Sequence, residues 1–377
     1  MIGCAVAWEL SRRYDGIFVF EKNPGITQGE NQSSRNSGVI HSGIYYDKET
    51  RPLKAALCVT GNRLLYNFCS RYEVPALKTG KLIVASSREE ENVLDIYLKR
   101  AIRNHVPDVE KIPASRAKEL EKNVRVRSAL LIPTAGIIEP VTLVYRLLTL
   151  ASKEGVQFMS ATEVMGLEED GDSVRVNIRY RDGKTDQVKA ETVINAGGID
   201  ADRVARLFDL DSSYEFDPVR GESYKFYGHK RPELELGGMN IYPTPESVIT
   251  PYGRHFTVGI HLTPTFEDLS YPPTLGSTVT VGPRVVPVED RTALSGPQVA
   301  AEIFAEKVRP FFPGLKKEDL IWHQSGLQAR LKGYPDFVIE AESAKRNFIN
   351  LLGIDSPGLT ACLAIARRVG EMVDKQG

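Results

Sequence analysis

A spacing near the start of the chain limits its fold more than any other feature. Gly3 opens a stretch, 5–13, that reads as a helix, and residues 17–21 (Ile-Phe-Val-Phe-Glu) read as a short buried strand ending in an acid. A helix and then a strand, with a carboxylate 18 positions beyond a glycine, is the second half of a dinucleotide-binding unit. In such a unit the acid accepts the ribose hydroxyls. The first half is missing: no strand precedes Met1, and Gly3 could supply only the last glycine of G-x-G-x-x-G. The missing glycines are those that let the backbone approach a pyrophosphate at the helix N-terminus. The expectation is that Met1 is not the true start, that upstream codons encode a hydrophobic strand and Gly-x-Gly, and that the chain as given holds its nucleotide weakly.

A chain of 377 residues exceeds what one core usually serves, so two domains are expected. Residues 53–71 read as a helix, 80–85 as a strand, and a charged helix follows from 88. Pro140 begins another helix at its first turn. Residues 174–180 alternate as a half-buried strand, and 192–198 form a buried strand running into glycines. Between 217 and 297 prolines and glycines are frequent and aromatics alternate, which suggests an antiparallel sheet with long connections. A helix is expected over 298–309. The chain closes with a strand at 348–352 and a helix from Pro357 that carries Leu359, Leu363, Ala366, Val369 and Val373 on one face. The fold class is therefore α/β (α+β overall). A Rossmann-type dinucleotide domain is assembled from 1–80, 140–215 and 325–377, and an antiparallel-sheet substrate domain from 81–139 and 216–324.

Composition narrows the partners. The 48 basic and 49 acidic residues leave a net charge of -1 with no basic block, which excludes a phosphate-backbone binder. Cys4, Cys58, Cys69 and Cys362 are scattered, without C-x-x-C or metal-ligand spacing. They read as reduced core thiols of a cytoplasmic protein, and no metal is expected. No apolar run approaches the ~20 residues of a membrane span, and the start does not read as a signal peptide. No transmembrane segment is expected, and peripheral contact with a membrane stays open.

Residues 33–46 read S-S-R-N-S-G-V-I-H-S-G-I-Y-Y, in a long polar loop with the character of a functional segment. Ser33, Ser34, Asn36 and Ser37 are short donors suited to a diphosphate and to the edge of a flat ring. Gly38 and Gly43 let the backbone pass close to one. Gly197-Gly198 after a buried strand imply the same close approach. Ser356-Pro357-Gly358-Leu359-Thr360 opens a helix whose N-terminus carries partial positive charge. Together these strings resemble the D-amino-acid-oxidase-like FAD-dependent oxidoreductases, and within them the L-2-hydroxyglutarate dehydrogenase/oxidase group. The resemblance runs on through 58–69, 80–85, 194–207, 218–222, G-I-H-L-T at 259–263, T-V-T-V-G-P at 278–283 and G-I-D-S-P-G-L-T at 353–360. It covers the chain except for the missing front.

The resemblance implies FAD, held by Gly3, Glu21, Ser33, Ser34, Asn36, Ser37, Gly38, His41, Gly197, Gly198 and the run Ser356, Pro357, Gly358, Leu359 and Thr360. It implies oxidation of a small 2-hydroxy acid to the 2-oxo acid, with hydride transfer to flavin N5 while a base takes the hydroxyl proton. Of the six histidines, His41 lies in the flavin loop and His261 in a matched strand. His261 is expected as the base and His41 as a residue of the flavin face. A carboxylate substrate needs cations, and the candidates are Arg220, Arg254, Arg330 and Lys81. One departure matters: relatives commonly carry G-[IV]-R-P-K where this chain has Gly326-Leu327-Gln328-Ala329-Arg330. The Gln328 amide cannot replace a guanidinium–carboxylate pair. Glycerol 3-phosphate, or the C–N bond of an amino acid or amine, is the alternative substrate on the same fold. A truncated, flavin-less remnant is the alternative of another class. The electron acceptor (oxygen, a quinone or an electron-transfer protein) is not written in these motifs.

Overall fold

The computed structural model describes residues 1–377 apart from 30, 251, 252, 289, 292, 295, 343–346, 376 and 377, and apart from the side chains of 247–250 and 253–257. The chain divides into two units, each drawn from separate segments: 1–36, 140–218 and 328–377 form the first, 37–139 and 219–327 the second.

In the first unit, helix Ile2–Ser11 buries Cys4, Ala5, Val6, Ala7 and Leu10. The strand that follows, Phe18–Glu21, pairs in parallel with Gln157–Ser160, Glu21 standing opposite Ser160. Parallel pairing needs a crossover, and Pro140–Lys153 is the helix that precedes the partner strand. Val193–Asn195 runs parallel to Phe348–Leu352, which pairs on its other side with Val338–Ala341. The alternation expected at 174–180 appears as the central strand of a three-stranded antiparallel sheet, with Val174, Val176 and Ile178 turned into a small core. Helix Gly358–Asp374 buries Leu359, Leu363, Ala366 and Val369 of the expected apolar face and leaves Val373 half-buried, while 358–366 are buried all round and not on one face alone.

The second unit is organised by an eight-stranded sheet. Its order is Leu320–Leu331, Phe216–Tyr227, Thr274–Pro287, His261–Asp268, Asn240–Pro243, Lys81–Ala85, Ser128–Ile132 and Glu110–Pro113. The sheet expected from 217–297 is thus completed by strands from 81–132. Asn240–Pro243 joins the two groups by running parallel to Lys81–Ala85. Side chains alternate between faces. Leu82, Ile241, Leu262, Val281 and Phe226 face one core, sealed by Phe304, Ala305 and Val308 of helix Ala301–Val308. Ile83, Tyr242, Leu130 and Ile132 face a second core with Ile44, Tyr45, Cys58 and Tyr97.

Residues 37–80, expected with the dinucleotide domain, lie in the second unit. The reason is local: Val39–Ile40 pairs with Gly136–Ile138, and helix Pro52–Tyr72 gives Ala55 and Cys58 to the second core. The long loop of 25–46 therefore crosses from one unit to the other in sequence, through a 3-10 turn at Ser33–Arg35. Among the described residues, no helix is long and apolar enough to cross a membrane.

Candidate active site

The nucleotide motifs of the first unit converge on the start of helix Ile2–Ser11. The Met1 amine donates to Ser33 Oγ at 3.2 Å, so the loop serine sits at the helix N-terminus. A Cβ on Gly3 would lie 3.5 Å from Ala196 Cβ, which places the Ala196-Gly197-Gly198 turn against the same helix end. Gly198 has a φ of +61°, with open space where a side chain would stand. Only glycine holds that conformation without strain while leaving the backbone bare to a ligand. Glu21 ends its strand with one carboxylate oxygen fixed by the Asn23 backbone N–H (2.9 Å) and side-chain amide (2.8 Å). Lys22 ties that strand end to the glycine turn through Asp200 at 2.6 Å. Helix Gly358–Asp374 starts from Pro357, which supplies no side-chain cap. Its first-turn N–H groups are of the kind that hold a phosphate or a polar ring edge. An acid for ribose, bare glycine backbone and two uncapped helix starts fit a flavin dinucleotide.

The second unit carries the titratable groups on one sheet face. Lys81 stands opposite Asn240, Thr263 opposite Thr280, and Thr280 opposite Lys225. Ile241 opposes Leu262, so Asn240 falls opposite Thr263 and Tyr242 opposite His261. Two neighbouring rows result, one of Lys81, Asn240, Thr263, Thr280 and Lys225, the other containing Tyr242 and His261. The Tyr242 and His261 rings stack at 3.7 Å between centroids. Lys81 is 1% exposed, and its Nζ lies 3.7 Å from the Tyr242 ring centroid and 5.2 Å from that of Tyr45. Among the described residues it pairs with no carboxylate, so its charge is met only by ring faces. Burial holds the Lys81 ammonium down to about 7.

His261 is buried, and its Nδ1 lies 3.0 Å from the Gly259 carbonyl oxygen. A carbonyl only accepts, so Nδ1 carries the hydrogen and Nε2 of the neutral ring keeps its lone pair. Burial first, and then the Lys81 charge, push His261 down to about 3. His41 is also held well below the usual histidine range, by burial first, then Lys81, then His261. Its backbone is clamped by helix Pro52–Tyr72: Asn62 Nδ2 donates to the His41 carbonyl and to that of Thr134, both at 2.9 Å. The two expected histidines and Lys81 thus share one neighbourhood, two neutral imidazoles and a lysine that burial brings down to about 7.

The other candidate cations are placed differently. Arg220 pairs with Glu222 at 2.5 Å and donates to the carbonyls of Ala293 and Pro297. Glu222 in turn accepts from the Val299 backbone N–H at 2.7 Å. Both follow the alternation of Tyr224 and Phe226, so they lie on the sheet face opposite His261. Arg220, expected as a substrate clamp, is here an internal staple for 293–299. Arg330 pairs with Asp217 at 3.3 Å in the first unit. The Arg254 side chain lies outside the described residues. Sequence reasoning missed Tyr45, Tyr242, Lys225 and Thr280. The polar alternation H-L-T-P-T at 261–265, T-V-T-V at 278–281 and S-Y-K-F at 223–226 could have shown one polar sheet face.

The comparisons with known proteins bear on the family and the fold. The family described as FAD dependent oxidoreductase (DAO) matches residues 1–372. The mitochondrial L-2-hydroxyglutarate dehydrogenase of Arabidopsis thaliana is 30% identical, over 98% of this chain and 80% of its own length. The glycerol 3-phosphate dehydrogenase of Caloramator mitchellensis is 27% identical, over 97% of this chain and 70% of its own length. Among solved structures, the L-alpha-glycerophosphate oxidase of Mycoplasma pneumoniae with FAD bound superposes with a TM-score of 0.84 at 26% identity, covering 99% of this chain and 92% of its own.

Proposed function

The chain belongs to the DAO family of FAD-dependent oxidoreductases, and from that premise we propose that it oxidises a small 2-hydroxy acid of the L-2-hydroxyglutarate type to the 2-oxo acid. One observation carries the reading: a buried ammonium, Lys81, unpaired with any carboxylate among the described residues, beside a neutral imidazole whose Nε2 can accept a proton. An anionic substrate supplies the missing charge, and the imidazole supplies the base. The names of relatives support it, since several of the similar proteins bear the name L-2-hydroxyglutarate dehydrogenase.

In this reading the first unit holds FAD. Glu21 takes the ribose hydroxyls, and Gly3, Ser33, Ser34, Asn36, Gly197 and Gly198 take the diphosphate and adenine side. The helix start at Ser356, Pro357, Gly358, Leu359 and Thr360 would hold a polar edge of the flavin, and Ser37, Gly38 and His41 are the loop residues that the family resemblance assigns to it. When bound, FAD supplies the two-electron acceptor for the hydrogen leaving the α-carbon. Lys81 holds the substrate carboxylate by a charge-assisted hydrogen bond. His261 Nε2 takes the hydroxyl proton, and the Gly259 carbonyl fixes its tautomer through Nδ1. Tyr242, stacked on His261, keeps the ring plane in place and water away. At rest His261 is a poor base because it is buried and because Lys81 is charged. A carboxylate on Lys81 offsets that charge, so the imidazole gains basicity when substrate is present. The four cysteines are free and buried, which supports a reducing compartment such as the cytoplasm.

A second reading, glycerol 3-phosphate, is favoured by the likeness to the M. pneumoniae oxidase. Lys81 would then take the phosphate. The test is anaerobic bleaching of the bound flavin with L-2-hydroxyglutarate, D-2-hydroxyglutarate, glycerol 3-phosphate and amino acids in parallel. Fast bleaching by L-2-hydroxyglutarate is expected. Bleaching by glycerol 3-phosphate or an amino acid alone would overturn the substrate class and leave the flavoenzyme in place.

A further inference from the structure

The polar row that begins at Lys81 ends in a second lysine that the reading above does not use. Lys225 stands opposite Thr280 and donates to its Oγ1 at 2.8 Å. Among the described residues it pairs with no carboxylate. His323, on the neighbouring strand, is pushed down to about 4 by burial first and by Lys225 second, so a neutral imidazole adjoins the ammonium. Lys225 itself is held down to about 8 by burial. A half-buried lysine on a sheet normally finds an acid or reaches water; this one leans inward along the row, towards the His261 strand.

The spacing of the two ammonium groups is set by the sheet. Lys81 Nζ lies over the ring of Tyr242, and Lys225 Nζ lies at Thr280. The strands that carry Tyr242 and Thr280 are separated by one other, the His261 strand. At the usual interstrand distance the two charges are on the order of 10 Å apart. A five-carbon dicarboxylate with an oxygen ~2.8 Å from an ammonium at each end spans roughly 10–12 Å. A monocarboxylate or a phosphomonoester reaches one ammonium only.

We propose that Lys225 is the specificity-determining residue for the distal carboxylate, so that Lys81 and Lys225 bracket a C5 dicarboxylate across the His261 strand. This deepens the substrate reading above and rests on it. Lys81 takes the carboxylate beside the reacting carbon, Lys225 takes the far one, and the Thr263 and Thr280 hydroxyls lie between them. Two of the other expected clamps are spent elsewhere, Arg220 on the opposite face of the sheet and Arg330 on Asp217, and the Arg254 side chain lies outside the described residues.

The test compares glutarate with butyrate, which lacks the second carboxylate, as dead-end ligands of the FAD-loaded enzyme by calorimetry. It does so for wild type, Lys225→Met and Lys225→Arg. Wild type is expected to bind glutarate roughly 10–100-fold more tightly than butyrate. Lys225→Met should remove that advantage without weakening butyrate, and Lys225→Arg should restore part of it. A purely structural lysine would weaken both ligands together, and that result overturns the proposal. So does a wild type without a glutarate advantage, or an advantage that survives Lys225→Met. Because the readout is binding, it separates from the bleaching panel. An enzyme that shows the Lys225-dependent advantage yet is reduced only by glycerol 3-phosphate loses the 2-hydroxy acid reading and keeps the dicarboxylate subsite.

Discussion

In the first unit the groups that prepare a ligand site are largely backbone, a bare glycine at 198 and a helix begun by Pro357, joined by a serine hydroxyl at a helix end. In the second unit they are side chains: an ammonium over a tyrosine ring, and an imidazole stacked on that ring. Backbone donors have fixed strength and almost no pKa, so they suit a cofactor that stays. Side chains buried without counter-charges are unstable in their charged forms and respond to what arrives, so they suit a substrate that comes and goes.

Mutations can break this division, and the largest effect belongs to the base. His261→Ala should slow flavin reduction by roughly 10²–10⁴-fold while FAD affinity and the oxidised spectrum stay near wild type, as rapid mixing and absorbance would show. Loss of flavin binding without a change in reduction rate would place His261 in the cofactor's half of the division.

Arg220→Ala comes next, and its effect falls on stability. It leaves Glu222 buried at 1% exposure without its partner. A loss of about 3–5 kcal/mol in denaturant unfolding is expected, with substrate affinity little changed in the surviving folded enzyme. A selective rise in KM with no loss of stability would return Arg220 to the substrate.

Lys81→Met sharpens the comparison because its two effects oppose each other. Substrate should bind roughly 10–100-fold more weakly, while the thermal midpoint of the ligand-free protein rises by a few °C, since an uncompensated buried ammonium is removed. The pH dependence follows from the same group. Its folded-state pKa, about 7, lies below the ordinary lysine value, so the unfolded chain binds the extra proton and ligand-free stability should rise as pH climbs from about 7 towards 10.5. Affinity for an anion needs the protonated form and should fall over the same range. Affinity and stability that move together with pH would contradict the assignment.

The smallest effect is expected at Glu21. Glu21→Ala should weaken FAD by about 1.5–3 kcal/mol for each ribose hydrogen bond lost, with the fold intact by circular dichroism. Unchanged FAD affinity would move the ribose contact elsewhere.

The same division explains what could be read in advance. Gly3 to Glu21, the 33–46 loop, Gly197-Gly198 and 356–360 are contiguous strings whose meaning is local, because a turn or a helix start is made within a few residues. The strands expected at 80–85, 174–180 and 348–352 were equally legible, the second from its alternation and the others as short apolar runs, and so was most of the last helix's apolar face. The sheet row was not, because Lys81, Asn240, Thr263, Thr280 and Lys225 become neighbours only through strand order and register. Arg220 misled for a related reason. Its fork suggested a clamp, but Glu222 stands two positions along the same strand, and i, i+2 on a strand share a face. That pairing was available in Arg-Gly-Glu once the segment was taken as a strand. Residues 37–80 fell on the other side of the domain division because Val39–Ile40 pairs with Gly136–Ile138, about a hundred residues away.

The uncompensated Lys81 has a consequence for how long a molecule of this enzyme lasts. A ligand that binds only the folded chain stabilises it in proportion to the logarithm of its concentration, by about 2.7 kcal/mol at a hundred times Kd. An enzyme with a buried lysine that lacks a counter-charge among the described residues depends on that contribution more than most. When substrate is scarce the open, protease-sensitive population grows, and when substrate is plentiful it shrinks. Abundance would then follow supply with no regulator involved, and a cell starved of the hydroxy acid would clear the catalyst for it.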